Sequence, residues 1–198
     1  MLQLAFLSSH NGSNTMAVIE ACQNGRLEAR PGLVISNNSH AGVLQTARQR
    51  GVPHVVFNGL THPDPRSLDS AICDELVQHD VDLVLLLGYM KLLGPRTVHR
   101  FRRRILNIHP GLLPDYGGKG MYGMRVHQAV LEAGETHTGI TIHHANEHYD
   151  EGDIVAQCTV PILPQDTPET LAQRVLIREH SFLVETLRSI IAGIILLE

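Results

Sequence analysis

The segment Asn107-Ile-His-Pro-Gly-Leu-Leu-Pro114 follows an apolar pair and has the pattern of a buried strand that runs straight into a loop. Because side chains alternate along a strand, Asn107 and His109 are expected on one face, with the intervening residues on the other. Pro110 ends the strand, since it has no N–H group to donate to a neighbour. Open α/β sheets hold their reactive groups at strand ends of this kind, so we predict a functional site here.

Upstream of this segment, apolar runs alternate with helical patterns, which is the signature of successive βαβ units. We therefore predict an α/β fold: a Rossmann-like, mostly parallel twisted sheet with flanking helices. The strands are expected at residues 2–7, 32–36, 54–57, 81–87 and from 105 onward. The helices are expected at residues 14–22, 42–50, 66–79 and 95–101.

Downstream of residue 115 the alternation of strand and helix patterns changes, and an antiparallel strand pair is predicted at residues 139–145 and 154–160. Helices are expected at 126–133 and, capped by Thr167, from Pro168 to about residue 191. The last apolar stretch, 190–197, is expected to end that helix or to add a strand. We predict a single domain over 1–198, with a phosphate-binding lobe at 1–105 and a catalytic lobe at 106–198.

The composition excludes several classes of protein. A net charge of -4 and a pI near 6.3 offer no long-range attraction for nucleic acid, and the basic run at 100–104 is read as a solvated helix end. Three separated cysteines without a CxxC pair argue against a disulfide scaffold or structural zinc, and they indicate reduced thiols in the cytoplasm. The apolar N-terminus lacks the basic region of a signal peptide, and the last apolar stretch is too short to span a bilayer.

A first candidate site is the loop Ser8-Ser-His-Asn-Gly-Ser-Asn14, between the first strand and the first helix. Backbone N–H groups at a helix start, with the Ser13 hydroxyl and the Asn14 amide, suit a phosphate group. An ordinary capped turn would have the same features. The loop is neither a GxGxxG nor a Walker A sequence, which disfavours dinucleotide and nucleoside triphosphate binding.

Two more stretches carry candidate groups. Gly88-Tyr-Met-Lys-Leu-Leu-Gly-Pro95 follows a buried strand and would frame a slot for a flat heterocycle, although core packing explains its apolar side chains equally well. The loop 146–153 offers Asp150, which would orient His109 and raise its pKa if the two side chains meet. The alternatives are a plain hairpin loop and a histidine satisfied in the core. No metal is expected, since the histidines at 137, 143, 144 and 148 lack HExxH spacing.

Taken in order, these pieces resemble the motifs of the folate-dependent formyltransferases: Gly12-Ser-Asn14, Gly88-Tyr-Met90, Asn107-Ile-His-Pro-Gly-Leu-Leu-Pro114 and Tyr149-Asp-Glu-Gly152. The Asn-x-His pair with a distant Asp is common to that family. The N-terminal Gly-Ser-Asn loop is similar to that of the family's purine-pathway members. The resemblance to those members extends over nearly the whole chain. The resemblance implies the formyltransferase fold. It also implies a reaction of purine biosynthesis, in which the formyl group of 10-formyltetrahydrofolate is transferred to the amine of 5-phosphoribosylglycinamide. No metal is implied.

The resemblance also implies roles for individual residues. Asn107 and a protonated His109 would donate hydrogen bonds to the developing oxyanion, while Asp150 would hold the imidazole and keep it protonated. The acceptor's phosphate would bind Gly12, Ser13 and Asn14, and its ribose hydroxyls would meet Glu179. The folate would contact Arg66, Met90, Lys91, Leu93 and Asn107, with the loop 146–150 beside the pterin, so the second lobe would serve both catalysis and folate binding.

Two features depart from the family pattern. A Gly-rich insertion lies within the loop from Asp115 to Met124, and it would form either a flap or a longer surface loop. Lys91 stands where an arginine is common in the family. Two other functions remain open. A 10-formyltetrahydrofolate hydrolase would use His109 and Asp150 with water as nucleophile, and a noncatalytic phosphometabolite-binding module would need neither residue. The expected partners are the two small molecules, without nucleic acid or membrane, and the chain would be a monomer or a homodimer.

Overall fold

The computed structural model describes residues 1–197. Its strands are β1 (Leu2–Leu7), β2 (Ala29–Ser36), β3 (His54–Val56), β4 (Leu83–Leu86), β5 (Ile105–His109), β6 (His137–His144) and β7 (Ile154–Pro161). Its helices are α1 (Ser13–Gln23), α2 (Gly42–Gln49), α3 (Pro65–Gln78), α4 (Pro95–Arg100), α5 (Met124–Glu132) and α6 (Pro168–Ile191). The strands form one seven-stranded sheet in the order β3-β2-β1-β4-β5-β6-β7.

Strands β1 to β5 form the parallel part of this sheet, with β1 between β2 and β4. Every residue of β4 is buried, because helices cover both faces of a parallel sheet. The predicted α/β fold with a mostly parallel sheet is thus confirmed. The observed β4 is shorter than the predicted strand over 81–87, since the Val81 N–H bonds the Leu76 carbonyl at the end of α3.

The last two strands reverse direction. β5 pairs antiparallel with β6, and β6 pairs antiparallel with β7, which confirms the predicted antiparallel addition. The sheet is continuous across the predicted lobe boundary at 105, because β5 is bonded to β4 on one side and to β6 on the other. The division of functions between two lobes stays a prediction.

Alternation along the strands divides the core into two layers. Leu106 and Ile108 join Val18, Val43 and Leu187 on the face covered by α1, α2 and α6. The opposite face packs against α3 and α4, through residues that include Ile72, Leu76 and Phe101. Ile105 lies in this second layer, so Asn107 and His109 project from the same face of β5, as the strand periodicity predicts.

The longest helix, α6, packs against β6, β7, α1 and α5 and begins at an N-terminus capped by Thr167. The Thr167 hydroxyl accepts from the Thr170 N–H, and the Thr170 hydroxyl accepts from the Thr167 N–H. The final apolar stretch ends this helix; within the described chain it adds no strand. None of the helices described over 1–197 is both long enough and apolar enough to cross a membrane.

Candidate active site

A cavity of about 750 Å³ opens at the carboxyl edge of the parallel strands. Its walls come from the loops after β1, β4 and β5, from the β6–β7 loop and from α6. A smaller pocket of about 200 Å³ adjoins it at the start of α1, and His10, Asn14 and Gly88 line both. This edge is where open α/β sheets bind their ligands.

Four polar side chains converge on one wall of the cavity. The Oδ2 atom of Asp150 lies 3.6 Å from Nδ1 of His109, and its Oδ1 atom lies 3.4 Å from Nδ2 of Asn107. The same Oδ1 atom is 3.4 Å from Nε2 of His143. The structure therefore brings together the three predicted catalytic residues and adds a fourth.

The β6–β7 loop delivers Asp150 by folding back over the sheet. Gly152 closes the loop against β6, where a Cβ atom would overlap the carbonyl oxygen of His144. Asp150 itself has a φ of 58°, a left-handed conformation that Asp and Asn adopt more readily than most residues. The Gly118 N–H donates to Asp150 Oδ2 at 3.0 Å, which holds the carboxylate in place.

The His109 ring is buried and held between two acceptors. Its Nε2 atom lies 2.6 Å from the carbonyl oxygen of Tyr116, so this nitrogen carries the hydrogen, and Nδ1 faces Asp150. Burial lowers the pKa of His109, and it outweighs the opposing effects of the Asp150 carboxylate and the Tyr116 carbonyl. Asp150 thus acts on the pKa of His109 in the expected direction, but burial opposes it, and the protonated state of this histidine stays a prediction.

The Asp150 carboxyl is ionised. Burial alone would raise its pKa, but contact with His143, the neighbouring His109 and the Gly118 N–H together lower it. The cluster thus presents a carboxylate beside a buried imidazole. Such a pair can accept a proton from a bound amine and pass it on.

His143 is the residue that the sequence reasoning missed, because it considered this side chain only as a metal ligand. His143 lies opposite Asn107 in the β5–β6 register, and its Nε2 atom is 3.0 Å from Asn107 Nδ2. Its Nδ1 atom donates to the His144 carbonyl oxygen at 2.9 Å, so Nε2 accepts from the Asn107 amide. Pairing the two predicted strands in antiparallel register would have revealed this contact. Among residues 1–197, no group of three or more His, Cys, Asp or Glu side chains is arranged to hold a metal ion.

The small pocket is built from the first candidate loop. Gly12 has a φ of 70°, and within the described residues no side chain caps α1, so the N–H groups of its first turn face the pocket side of the helix. A Cβ atom at Gly12 would overlap Val43, so the close packing of α2 explains why position 12 is a glycine. Gly12, Ser13 and Asn14 all line the pocket, in keeping with their predicted role in binding a phosphate.

The Asn14 side chain makes a contact that the sequence did not indicate. Its Nδ2 atom donates to Glu179 Oε2 at 2.8 Å, joining the first helix to α6. Glu179 is 6% exposed, and burial raises its pKa to about 7 despite the hydrogen bond from Asn14. Glu179 lines the main cavity beside Asn14, which places it where a ligand in the small pocket would extend.

Most of the residues predicted to bind folate line the main cavity: Met90, Lys91, Leu93 and Asn107. Apolar side chains complete this wall, among them Leu86, Val98 and Ala145. Arg66 is exposed in the first turn of α3 and, among the described residues, lies outside the lining of both cavities. Its contact with folate stays a prediction.

The Gly-rich loop forms the opposite wall, where residues 118–123 line the cavity. Gly118, Gly120 and Gly123 all have positive φ values, so the path of this wall depends on glycine. Through the Tyr116 carbonyl and the Gly118 N–H, the same loop contacts both His109 and Asp150. It is therefore part of the site and more than a surface insertion.

An open α/β sheet with an amide, an imidazole and a carboxylate clustered beside a cavity at its carboxyl edge is the arrangement of an α/β enzyme. The sequence profile of the family described as "Formyl transferase" matches residues 2–187. The chain therefore belongs to the formyl transferase family, which confirms the resemblance found in the motifs.

Individual relatives agree with this assignment. The chain is 44% identical over 189 residues to "Phosphoribosylglycinamide formyltransferase, chloroplastic" of Arabidopsis thaliana, covering 95% of this chain and 65% of that protein, which is less than two thirds of its length. It is 41% identical to "Phosphoribosylglycinamide formyltransferase" of Haemophilus influenzae, covering 91% of this chain and 82% of that protein. A solved structure, glycinamide ribonucleotide transformylase 1 from Symbiobacterium toebii, superposes with a TM-score of 0.89 at 36% identity, covering 98% of this chain and 89% of that one.

Proposed function

We propose that this protein transfers the formyl group of 10-formyltetrahydrofolate to the amine of 5-phosphoribosylglycinamide, a step of purine biosynthesis. The observation that carries the proposal is the Asn107, His109 and Asp150 cluster, set between a helix-start pocket and a larger apolar cavity. The names of the relatives from Arabidopsis thaliana and Haemophilus influenzae support the same acceptor.

The lining and the volume of the two cavities support the two proposed substrates. A phosphate fits the small pocket because the first-turn N–H groups of α1 are free to donate, and the ribose then reaches Glu179. A flat pterin fits the larger cavity, whose volume lies in the range of small-molecule sites and whose walls include Leu86, Val98 and Ala145. The amine and the formyl carbon then meet at the cluster.

The reaction forms a bond between the acceptor nitrogen and the formyl carbon, and negative charge develops on the formyl oxygen. The Asn107 amide and the His109 Nε2–H group are the donors for that oxygen, and each is bonded to a protein acceptor, His143 or Tyr116, before substrate arrives. The Asp150 carboxylate accepts the proton that the attacking amine releases, directly or through water. The bond from the formyl carbon to the folate nitrogen then breaks, and that nitrogen takes up the proton.

Steady-state kinetics of the purified protein test this proposal. Formation of tetrahydrofolate should require 5-phosphoribosylglycinamide and saturate with both substrates. A hydrolase would release tetrahydrofolate and formate equally well without the acceptor, and a binding module would produce neither. Either result would reject formyl transfer.

The remaining expectations concern the surroundings of the protein. The three cysteines are free in the structure, which fits a reducing compartment, and we place the activity in the cytoplasm. Its partners are the two small molecules, without nucleic acid or membrane. The described chain supplies every residue of the cluster itself, and we propose that the protein acts as a monomer or a homodimer.

A further inference from the structure

We infer that Ser8 and His10 complete the phosphate pocket and determine its selectivity for a phosphorylated acceptor. The inference rests on the proposed function and adds two residues to the same site. Eight residues line the small pocket: Ser8, His10, Asn11, Gly12, Ser13, Asn14, Leu87 and Gly88. Among them, and within the chain described over 1–197, only His10 has a side chain that can carry a positive charge.

Ser8 supplies an unused donor. The residue is among those that line the pocket, it is 1% exposed, and its buried hydroxyl has no hydrogen-bond partner in the described structure. A buried hydroxyl without a partner is costly, and most such groups are satisfied by protein, water or ligand. A phosphate oxygen in the pocket would satisfy this one.

The main chain fixes the position of His10. The Val43 N–H at the start of α2 donates to the His10 carbonyl oxygen at 3.1 Å. On the other side, the Ser9 N–H donates to the Gly88 carbonyl at 3.0 Å, and the Ser9 hydroxyl accepts from the Met90 N–H at 2.8 Å. The backbone is therefore anchored by hydrogen bonds at His10 and at the residue before it.

The His10 side chain is exposed and lines both the small pocket and the main cavity. It therefore stands where the phosphate end of the acceptor meets solvent. The helix N-terminus supplies neutral N–H donors and a partial positive charge, whereas a phosphate ester carries up to two negative charges near neutral pH. The His10 imidazole at the rim is the side chain that can donate a further hydrogen bond to the phosphate, and an imidazolium form of it would make that bond charge-assisted.

Binding of ribose 5-phosphate, followed by NMR titration without any folate, tests the inference directly. The proteins are the natural chain, His10→Ala, Ser8→Ala and the control His99→Ala, which removes an exposed histidine of α4 outside the lining of both cavities. We expect the dissociation constant to rise about tenfold in His10→Ala and several-fold in Ser8→Ala, with no change in His99→Ala. Ribose, the unphosphorylated control, should bind far more weakly to all four proteins.

Both variants should remain folded, since His10 is exposed and the Ser8 hydroxyl has no partner to lose. Unchanged affinity for ribose 5-phosphate in both variants would overturn the inference. Equal binding of ribose and ribose 5-phosphate by the natural chain would overturn it as well. The measurement needs no turnover, so a protein that binds the phosphate through His10 but transfers no formyl group would reject the proposed function alone.

Discussion

The Nδ1 atom of His109 lies 3.6 Å from Oδ2 of Asp150, although His109 ends strand β5 and Asp150 lies in the loop between β6 and β7. His109 ends β5, whereas Asp150 follows β6, whose last residue, His144, pairs with Leu106 toward the start of β5. The loop must therefore return along the sheet to place its carboxylate. This contact places a carboxylate beside a strand-end histidine, as the proposed proton transfer requires.

The charge of Asp150 is the first feature to test, with Asp150→Asn. Asparagine tolerates the positive φ of this position, so the substitution removes the charge without adding backbone strain. We expect kcat to fall at least about a hundredfold, because the variant has no base for the amine proton. The matched control is Asp153→Asn, which changes an exposed aspartate close by, and its kcat should stay near that of the natural chain. Equal activity in both variants would remove Asp150 from the mechanism.

The orientation of Asn107 is a second test, through His143→Gln. His143 accepts from the Asn107 amide, so its loss should misalign the donor for the formyl oxygen. We expect kcat to fall by about tenfold or more while KM for the acceptor changes little, since this hydrogen bond matters most in the transition state. His144→Gln alters the adjacent buried histidine, which lines neither cavity of the described chain. A similar loss of kcat in both variants would indicate damage to β6 instead.

Gly12 provides a third test, in which Gly25→Ala serves as the control. Both glycines have positive φ values, 70° and 76°, so alanine strains the backbone at each. A Cβ atom at Gly12 would also overlap Val43, whereas at Gly25 nothing lies within 4 Å. Denaturant unfolding should show a loss of about 1 kcal/mol for Gly25→Ala and of about 2 kcal/mol or more for Gly12→Ala. Equal losses would show that the α1–α2 contact tolerates a methyl group.

The raised pKa of Glu179 leads us to predict that the stability of the protein depends on pH. Burial raises its pKa to about 7, so its stabilising contribution is complete below the unfolded pKa near 4.5 and is lost as the pH rises through 7. Glu179→Gln keeps the acceptor for Asn14 and offers a donor to the unpaired Asn14 Oδ1 atom. Between pH 4.5 and 8, the free energy of unfolding of the natural chain should fall by about 3 kcal/mol relative to this variant. Parallel pH profiles for the two proteins would contradict the buried, protonated Glu179.

Most of the fold could be predicted because its signals are local. Continuous apolar runs such as 83–86 and the capped start of α6 at Thr167 identify their elements without tertiary information. The ends of the elements follow local signals less closely. Strand β2 begins at Ala29, three residues before the predicted start at 32, because Ala29 to Pro31 pair with β1 ahead of an irregularity in the pairing. That pairing depends on a neighbouring strand, which no local pattern reveals.

The features of the site likewise divide into those that the local sequence predicts and those that depend on tertiary contacts. The faces of Asn107 and His109 follow from strand periodicity, and the family motifs indicated Asp150. The lowered pKa of His109 could not be inferred from these motifs, because it depends on how deeply the ring is buried. The contacts of Asn107 with His143 and of Asn14 with Glu179 depend on strand register and on helix packing, respectively.

The most direct test of the proposed reaction follows a labelled formyl group from 10-formyltetrahydrofolate to its product in a single experiment. We predict that the label appears in formylated 5-phosphoribosylglycinamide, one for each tetrahydrofolate formed, and that omitting the acceptor stops tetrahydrofolate production. Label recovered as free formate at an equal rate with or without the acceptor would contradict formyl transfer and would identify water as the nucleophile at His109 and Asp150.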